Sequence, residues 1–130
     1  MNNSEIKILL VDDDEMIRDC IGAYLEDEGF TVHYAASGEE ALESIAGINP
    51  AVCISDMRLS GMNGETFIRQ ANLICPATGF LLHTGMTYIL SDELRVIGMT
   101  PADVLFKPIH ELSTLTGRIA EIVSLGSRLS

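Results

Sequence analysis

Long apolar runs are missing from this sequence. The longest are about four residues, as in Ile8-Leu9-Leu10-Val11, against the roughly 20 that a helix needs to cross a bilayer. No leader pattern stands near Met1, because "MNNSEIKILL" runs into acid rather than into a cleavage site. Cysteine is scarce and odd in number. Cys20, Cys53 and Cys75 have no Cys-x-x-Cys spacing, so all three read as small buried hydrophobes in a reducing compartment. The expected location is cytoplasmic. Positive charge is also in short supply, with 8 Lys and Arg against 19 Asp and Glu and a net charge of −11. Residues 1–65 hold 14 acids and 3 bases, whereas 66–130 hold 5 of each, so the whole excess lies in the first half. A phosphate backbone needs a basic face, and direct nucleic-acid contact by this domain is therefore not expected. Internal repeats and low-complexity tracts are absent as well.

What is present is a regular alternation. The 130 residues, 47% of them apolar, make one globular domain that buries about two-thirds of its unfolded surface. Short strand-like runs alternate with stretches at helical spacing. Ile6–Val11 predicts a strand, and residues 15–28 a helix on Ile17, Cys20, Ile21, Tyr24 and Leu25, stopped by Gly29. Phe30–Ala35 is a second strand. Ser37 caps a helix carrying Ala41, Leu42 and Ile45. "AVCIS" is a third strand, apolar almost throughout, as both-face burial requires. Helix Glu65–Ile74, strand "GFLLHT", helix Tyr88–Ile97, strand "DVLF" and a helix on Leu112, Leu115, Ile119 and Ile122 complete the set. The core should span about residues 6–124, with 125–130 a tail or the start of a linker. Five β-α pairs mean an α/β, doubly wound parallel sheet with helices on both faces.

In such folds the ligand site lies beyond the carboxyl ends of the strands. The polar residues found there are Asp12 and Asp13 after the first strand, Asp56 after the third, Thr84 after the fourth and Lys107 after the fifth. Three carboxylates in one crevice cannot all stay ionised unaided, since like charges about 4 Å apart at an effective dielectric near 20 repel by roughly 4 kcal/mol per pair. A hard divalent cation with oxygen ligands, Mg²⁺, answers that and leaves room for a phosphate. Lys107 is a compact positive charge for a phosphate oxygen, Thr84 a hydroxyl donor, and Asp56, alone on the middle strand, the candidate nucleophile. Asp14, by contrast, reads as a helix cap.

Four motifs, "ILLVDDDE" (8–15), "SDMRLSGMNG" (55–64), "LLHTG" (81–85) and "DVLFKP" (103–108), stand in order at spacings that resemble the receiver domains of two-component response regulators. The resemblance runs from about Lys7 to Val123. It implies the flavodoxin-like strand order 2-1-3-4-5 and a phosphoprotein that takes a phosphoryl group onto Asp56 from a sensor histidine kinase or a histidine phosphotransfer protein. It implies Mg²⁺ held by Asp13 and Asp56, by Asp12 largely through water, and by the backbone carbonyl of Arg58. Thr84 and Lys107 would hold phosphoryl oxygens, with the Lys107-Pro108 bond cis and aiming Lys107 inward. Such a domain promotes its own phosphorylation and dephosphorylation without being a turnover enzyme. Its switch is a shift across the fourth helix, fifth strand and fifth helix, the face that meets an output domain or target protein and that admits a phosphorylation-dependent dimer.

Some positions depart from the family pattern. Val104 stands where an aromatic gate is usual, so the switch is expected to rely on the loop and fourth helix alone. Ser60 replaces a common proline, while Gly61 and Gly64 still permit the turns. Arg58 and Met86 stand at positions that, by the resemblance, flank the route of hydrolytic water, and they are expected to lengthen the phosphoryl lifetime. Other classes fit less well. An aspartyl-nucleophile phosphatase usually carries Asp-x-Asp and a substrate cap, and here Arg58 follows Met57. A flavin site needs a glycine-rich loop where three aspartates stand. A degenerate receiver acting as a constitutive binding module is disfavoured by the intact Asp12, Asp13, Asp56, Thr84 and Lys107. His33, His83 and His110 are scattered and read as surface or partly buried, Met57, Met62, Met86 and Met99 as gap fillers near the rim, and Phe106 as either core or exposed contact. A free-standing receiver and one cut from a larger regulator or hybrid kinase both stay open.

Overall fold

The computed structural model describes residues 5–85, 87–107 and 112–129, with side chains through Leu125. Met86, Pro108 and His110 lie outside the described residues. Strands β1 (Lys7–Val11), β2 (Thr31–Ala35), β3 (Val52–Asp56), β4 (Gly79–Thr84) and β5 (Val104–Phe106) alternate with helices α1 (Glu15–Asp27), α2 (Gly38–Ile48), α3 (Gly64–Ile74), α4 (Asp92–Val96) and α5 (Leu112–Leu129). The strands form one parallel sheet in the order β2-β1-β3-β4-β5, as expected. β3 is central and buried along its whole length, which is why its sequence lacks a polar alternate.

Alternation along the strands assigns side chains to the two faces. Leu9, Val11, Cys53 and Leu82 pack with Ile45, Phe67, Ala71 and Leu94 in one core layer. Ile8, Leu10, Ile54 and Leu81 pack with Ile21, Leu25, Leu115 and Ile119 in the other. Helix starts follow the side chains that satisfy free N–H groups. Asp14 accepts from the Met16 and Ile17 amides, Ser37 from Glu40, Asn63 from Thr66 and Ser91 from Leu94, each cap stabilising its helix by about 1 kcal/mol. Gly29, at φ 96°, ends α1 in the left-handed conformation that suits glycine.

Some expectations are corrected and others made definite. The fourth helix is Asp92–Val96 rather than Tyr88–Ile97. Ser91 caps it, Ile89 is 83% exposed, and Tyr88 turns away to hydrogen-bond Glu65 of α3, so residues 88–91 are a loop. α5 continues helically to Leu129. Cys20 is exposed, while Cys53 and Cys75 are buried, because Cys20 falls on the outward side of α1. Met99 is buried in the core at the start of β5, opposite the rim. Phe106 is 52% exposed. At that lower end Asp103 accepts from the Thr100 amide and pairs with Arg118 of α5 at 2.6 Å. Among the described residues no helix is long and apolar enough to cross a membrane.

Candidate functional site

The sheet brings the strand-end residues to one rim. Asp12 and Asp56 are buried and Asp13 is exposed, and each of the three offers a carboxylate oxygen within 4.8 Å of the others'. Lys107 Nζ lies 3.1 Å from Asp56 Oδ1 and 3.6 Å from Asp12 Oδ2. One ammonium against three carboxylates leaves the cluster net negative. A cleft of about 350 Å³ opens above it, lined by Asp56, Arg58, Thr84, Gly85 and Lys107. Thr84 is buried at the end of β4, and its carbonyl accepts from the Lys107 amide at 2.7 Å, so β4 and β5 carry these two residues at a fixed offset. Asp14 takes no part in the cluster and caps α1.

Local geometry explains how Asp56 is presented. The chain leaves β3 through residues 57–63 and returns by an antiparallel bridge between Arg58 and Asn63, with the Gly64 amide donating to the Met57 carbonyl at 2.7 Å. A side chain at Gly64 would place a carbon 2.3 Å from the Asp56 carbonyl oxygen, and Gly61 has φ 86°. Both glycines are therefore needed for a turn this tight. The Arg58 side chain is exposed at the cleft. Val104 is buried beside Leu82 in the β4–β5 register, so no aromatic ring stands at that position.

Asp12 is held by hydrogen bonds at three of its polar atoms. Its amide donates to the Ala35 carbonyl, its carbonyl accepts from Arg18 Nη1 at 2.5 Å, and Oδ1 accepts from the Asp14 amide at 2.9 Å. Burial pushes its carboxyl above the usual range, and Asp56 and Asp13 add to that. The Asp14 amide and Lys107 pull the other way. A carboxylate so placed is stabilised in its charged form by a bound cation. Three hard oxygen donors with no sulfur or nitrogen among them suit a hard cation rather than a softer metal.

Sequence reasoning missed three features here. Arg18 reaches a main-chain carbonyl, which no residue pattern encodes. Tyr88 Oη donates to Glu65 Oε1 at 2.6 Å, joining the loop after β4 to the first turn of α3. His83 was expected at the surface or partly buried, yet it is 4% exposed and neither ring nitrogen has a hydrogen-bond partner among the described residues. Its strand is covered on both faces, so an apolar neighbour pattern was the available signal. Met86 and Pro108, expected to modulate the site and to shape Lys107, lie outside the described residues.

The chain resembles proteins of known kind. It is 30% identical over 118 residues to the cell cycle response regulator CtrA of Brucella ovis, covering 91% of this chain and 50% of that protein. The chain thus spans about half the length of such curated relatives. Among solved structures, the chemotaxis protein CheY4 of Vibrio cholerae is 30% identical with a TM-score of 0.76, covering 90% of this chain and 98% of that one. A CheY-like response regulator receiver domain of Methanospirillum hungatei is 26% identical with a TM-score of 0.81, covering 96% and 98%. The sequence model of the response regulator receiver domain matches residues 8–120, and the chain belongs to that family.

Proposed function

We propose that this domain accepts a phosphoryl group on Asp56 from a histidine kinase or histidine phosphotransfer protein and passes the change to an output domain or target protein. The observation that carries the reading is the convergence of Asp12, Asp13, Asp56 and Lys107 at one rim, beneath a cleft that Thr84 also lines. In the transfer, the P–N bond to the donor imidazole breaks and a P–O bond to an Asp56 carboxylate oxygen forms. The imidazole nitrogen keeps the electron pair and is free to take a proton. Asp12, Asp13, Asp56 and the Arg58 main-chain carbonyl would hold Mg²⁺, which supplies charge neutralisation to the incoming phosphoryl group. Lys107 already pairs with the acceptor oxygen and would keep a phosphoryl oxygen as its partner afterwards. Thr84 would donate its hydroxyl to another.

The switch follows from charge. A phosphoryl group adds nearly two negative charges and three acceptor oxygens to a cluster that has one ammonium. Thr84 and Lys107 then reorient, and their strands carry the displacement to α4, β5 and α5. Ile89, Val96 and Phe106 are 83%, 85% and 52% exposed there, an apolar surface suited to a protein partner or to dimerisation. With Val104 at the aromatic position, the movement rests on the loop before α4 and on α4 itself. The domain works where kinases act, in the cytoplasm.

The test is incubation with a small phosphodonor and Mg²⁺, read by intact mass. The expected result is a gain of one phosphoryl group, absent in Asp56→Asn and absent with chelator. A protein that stays unmodified under conditions that load a control receiver overturns the reading.

A further inference from the structure

We infer that Arg18 is a positioning residue for the cation site, holding the Asp12 main chain so that the Asp12 and Asp13 carboxylates stay aimed at their shared position. The inference rests on the metal site proposed above and concerns a residue outside its ligand set.

The Asp12 carbonyl is in an awkward place. It lies just past the end of β1, and the helical ladder of α1 begins only at the Asp14 carbonyl, which accepts from the Arg18 amide at 3.0 Å. Neither sheet nor helix uses it. Arg18, in the first turn of α1, reaches back past the helix start and donates Nη1 to it at 2.5 Å. The peptide thus fixed is the one joining Asp12 to Asp13, so its orientation sets the direction in which both side chains leave the backbone. Asp12 is held elsewhere by Ala35, Asp14 and Lys107. Asp13 is exposed, and among the described residues no hydrogen bond holds its side chain, so the peptide plane is what aims it.

Two effects of Arg18 on a cation have opposite sign. Its positive charge repels a divalent ion, so deleting the charge alone would tighten binding. Its hydrogen bond organises two ligands, so deleting the bond loosens binding. Groups that orient metal ligands from behind typically contribute 10- to 100-fold to affinity. At a part-buried, charge-assisted hydrogen bond this short, positioning outweighs the partly screened repulsion.

The experiment measures Mg²⁺ dissociation constants of the full chain by calorimetry and by amide shifts of residues 12–14 for wild type, Arg18→Met, Arg18→Gln and Arg18→Lys. Unfolding of each is followed without metal, and Arg18→Gln serves if Arg18→Met does not fold. The expected result is about 10-fold weaker binding in Arg18→Met or Arg18→Gln at unchanged metal-free unfolding temperature, with recovery in Arg18→Lys, which can still donate. Binding as tight as wild type, or tighter, overturns the inference. If wild type and Asp13→Asn both show no saturable Mg²⁺ binding, the metal site itself fails and the inference with it.

Discussion

His83 stands one residue before Thr84, and its imidazole is buried with no hydrogen-bond partner among the described residues. Burial, with Lys107 nearby, lowers its pKa to about 4. The unfolded chain takes up that proton near pH 6.5, before the folded chain does. The His83 contribution is therefore whole above pH 6.5 and is lost as the pH drops toward 4, by about 3 kcal/mol. His83→Leu fills the site without orphaned nitrogens. It should be more stable by about 1–2 kcal/mol at pH 7 and lose this component of the acid sensitivity, both readable from urea unfolding at several pH values. Arg58 gives a kinetic prediction. If its side chain obstructs water at the cleft, Arg58→Ala loses its phosphoryl group severalfold faster after the donor is removed, and an unchanged rate sinks the idea. The rim residues were legible because a parallel sheet converts remote strand ends into neighbours. Asp12, Asp13, Asp56, Thr84 and Lys107 could thus be chosen without coordinates. Arg18 could not, since its partner is a carbonyl that every residue carries, and His83 reads like any polar letter in an apolar strand.

Between elements, side-chain bonds join what the sheet leaves separate. Tyr88 and Glu65 tie residues 87–91 to α3, and burial together with that carboxylate raises the Tyr88 hydroxyl pKa. Tyr88→Phe and Glu65→Ala should each cost about 1 kcal/mol, and the double variant about as much as either single one, because both remove the same bond. Additive costs in denaturant unfolding would show that the bond carries no coupling. At the lower end, Arg118 covers a buried Asp103. Arg118→Met leaves that carboxylate without its partner and should lower stability by about 3 kcal/mol, with phosphorylation of Asp56 unaffected in extent. The elements themselves were legible wherever apolar period and cap agreed, as at Asp14 and Ser37. They misled at the fourth helix. Ile89 supplied an apolar period that the fold leaves in solvent, while the true start was marked by Ser91 ahead of Asp92 and Glu93. The Asp103–Arg118 pair was illegible, since 15 residues separate two charges with no periodic relation.

Over the whole molecule the net charge of −11 favours expansion, and the three rim carboxylates concentrate that tendency at one point. Adding salt should raise the unfolding temperature modestly, and adding Mg²⁺ should raise it well beyond the matching ionic strength, by about 2.7 kcal/mol of stability at 100 times the dissociation constant. Chelation should reverse the second effect alone. Asp13→Asn should cross over, unfolding at a higher temperature than wild type without metal and gaining little from Mg²⁺. Changes to the lower end of the sheet have no such crossing, for a loss at Arg118 or Asp103 is a loss under every condition. The acid cluster therefore divides the molecule by the direction in which random change would take it. At the base, a substitution that harms folding harms everything that depends on folding. At the rim, Asn or Ser in place of an acid makes a sturdier protein, so a copy of this chain with no use for its rim would drift toward neutrality there. Without metal, the three acids grouped at that edge should leave the chain slightly less stable than neutral side chains there would.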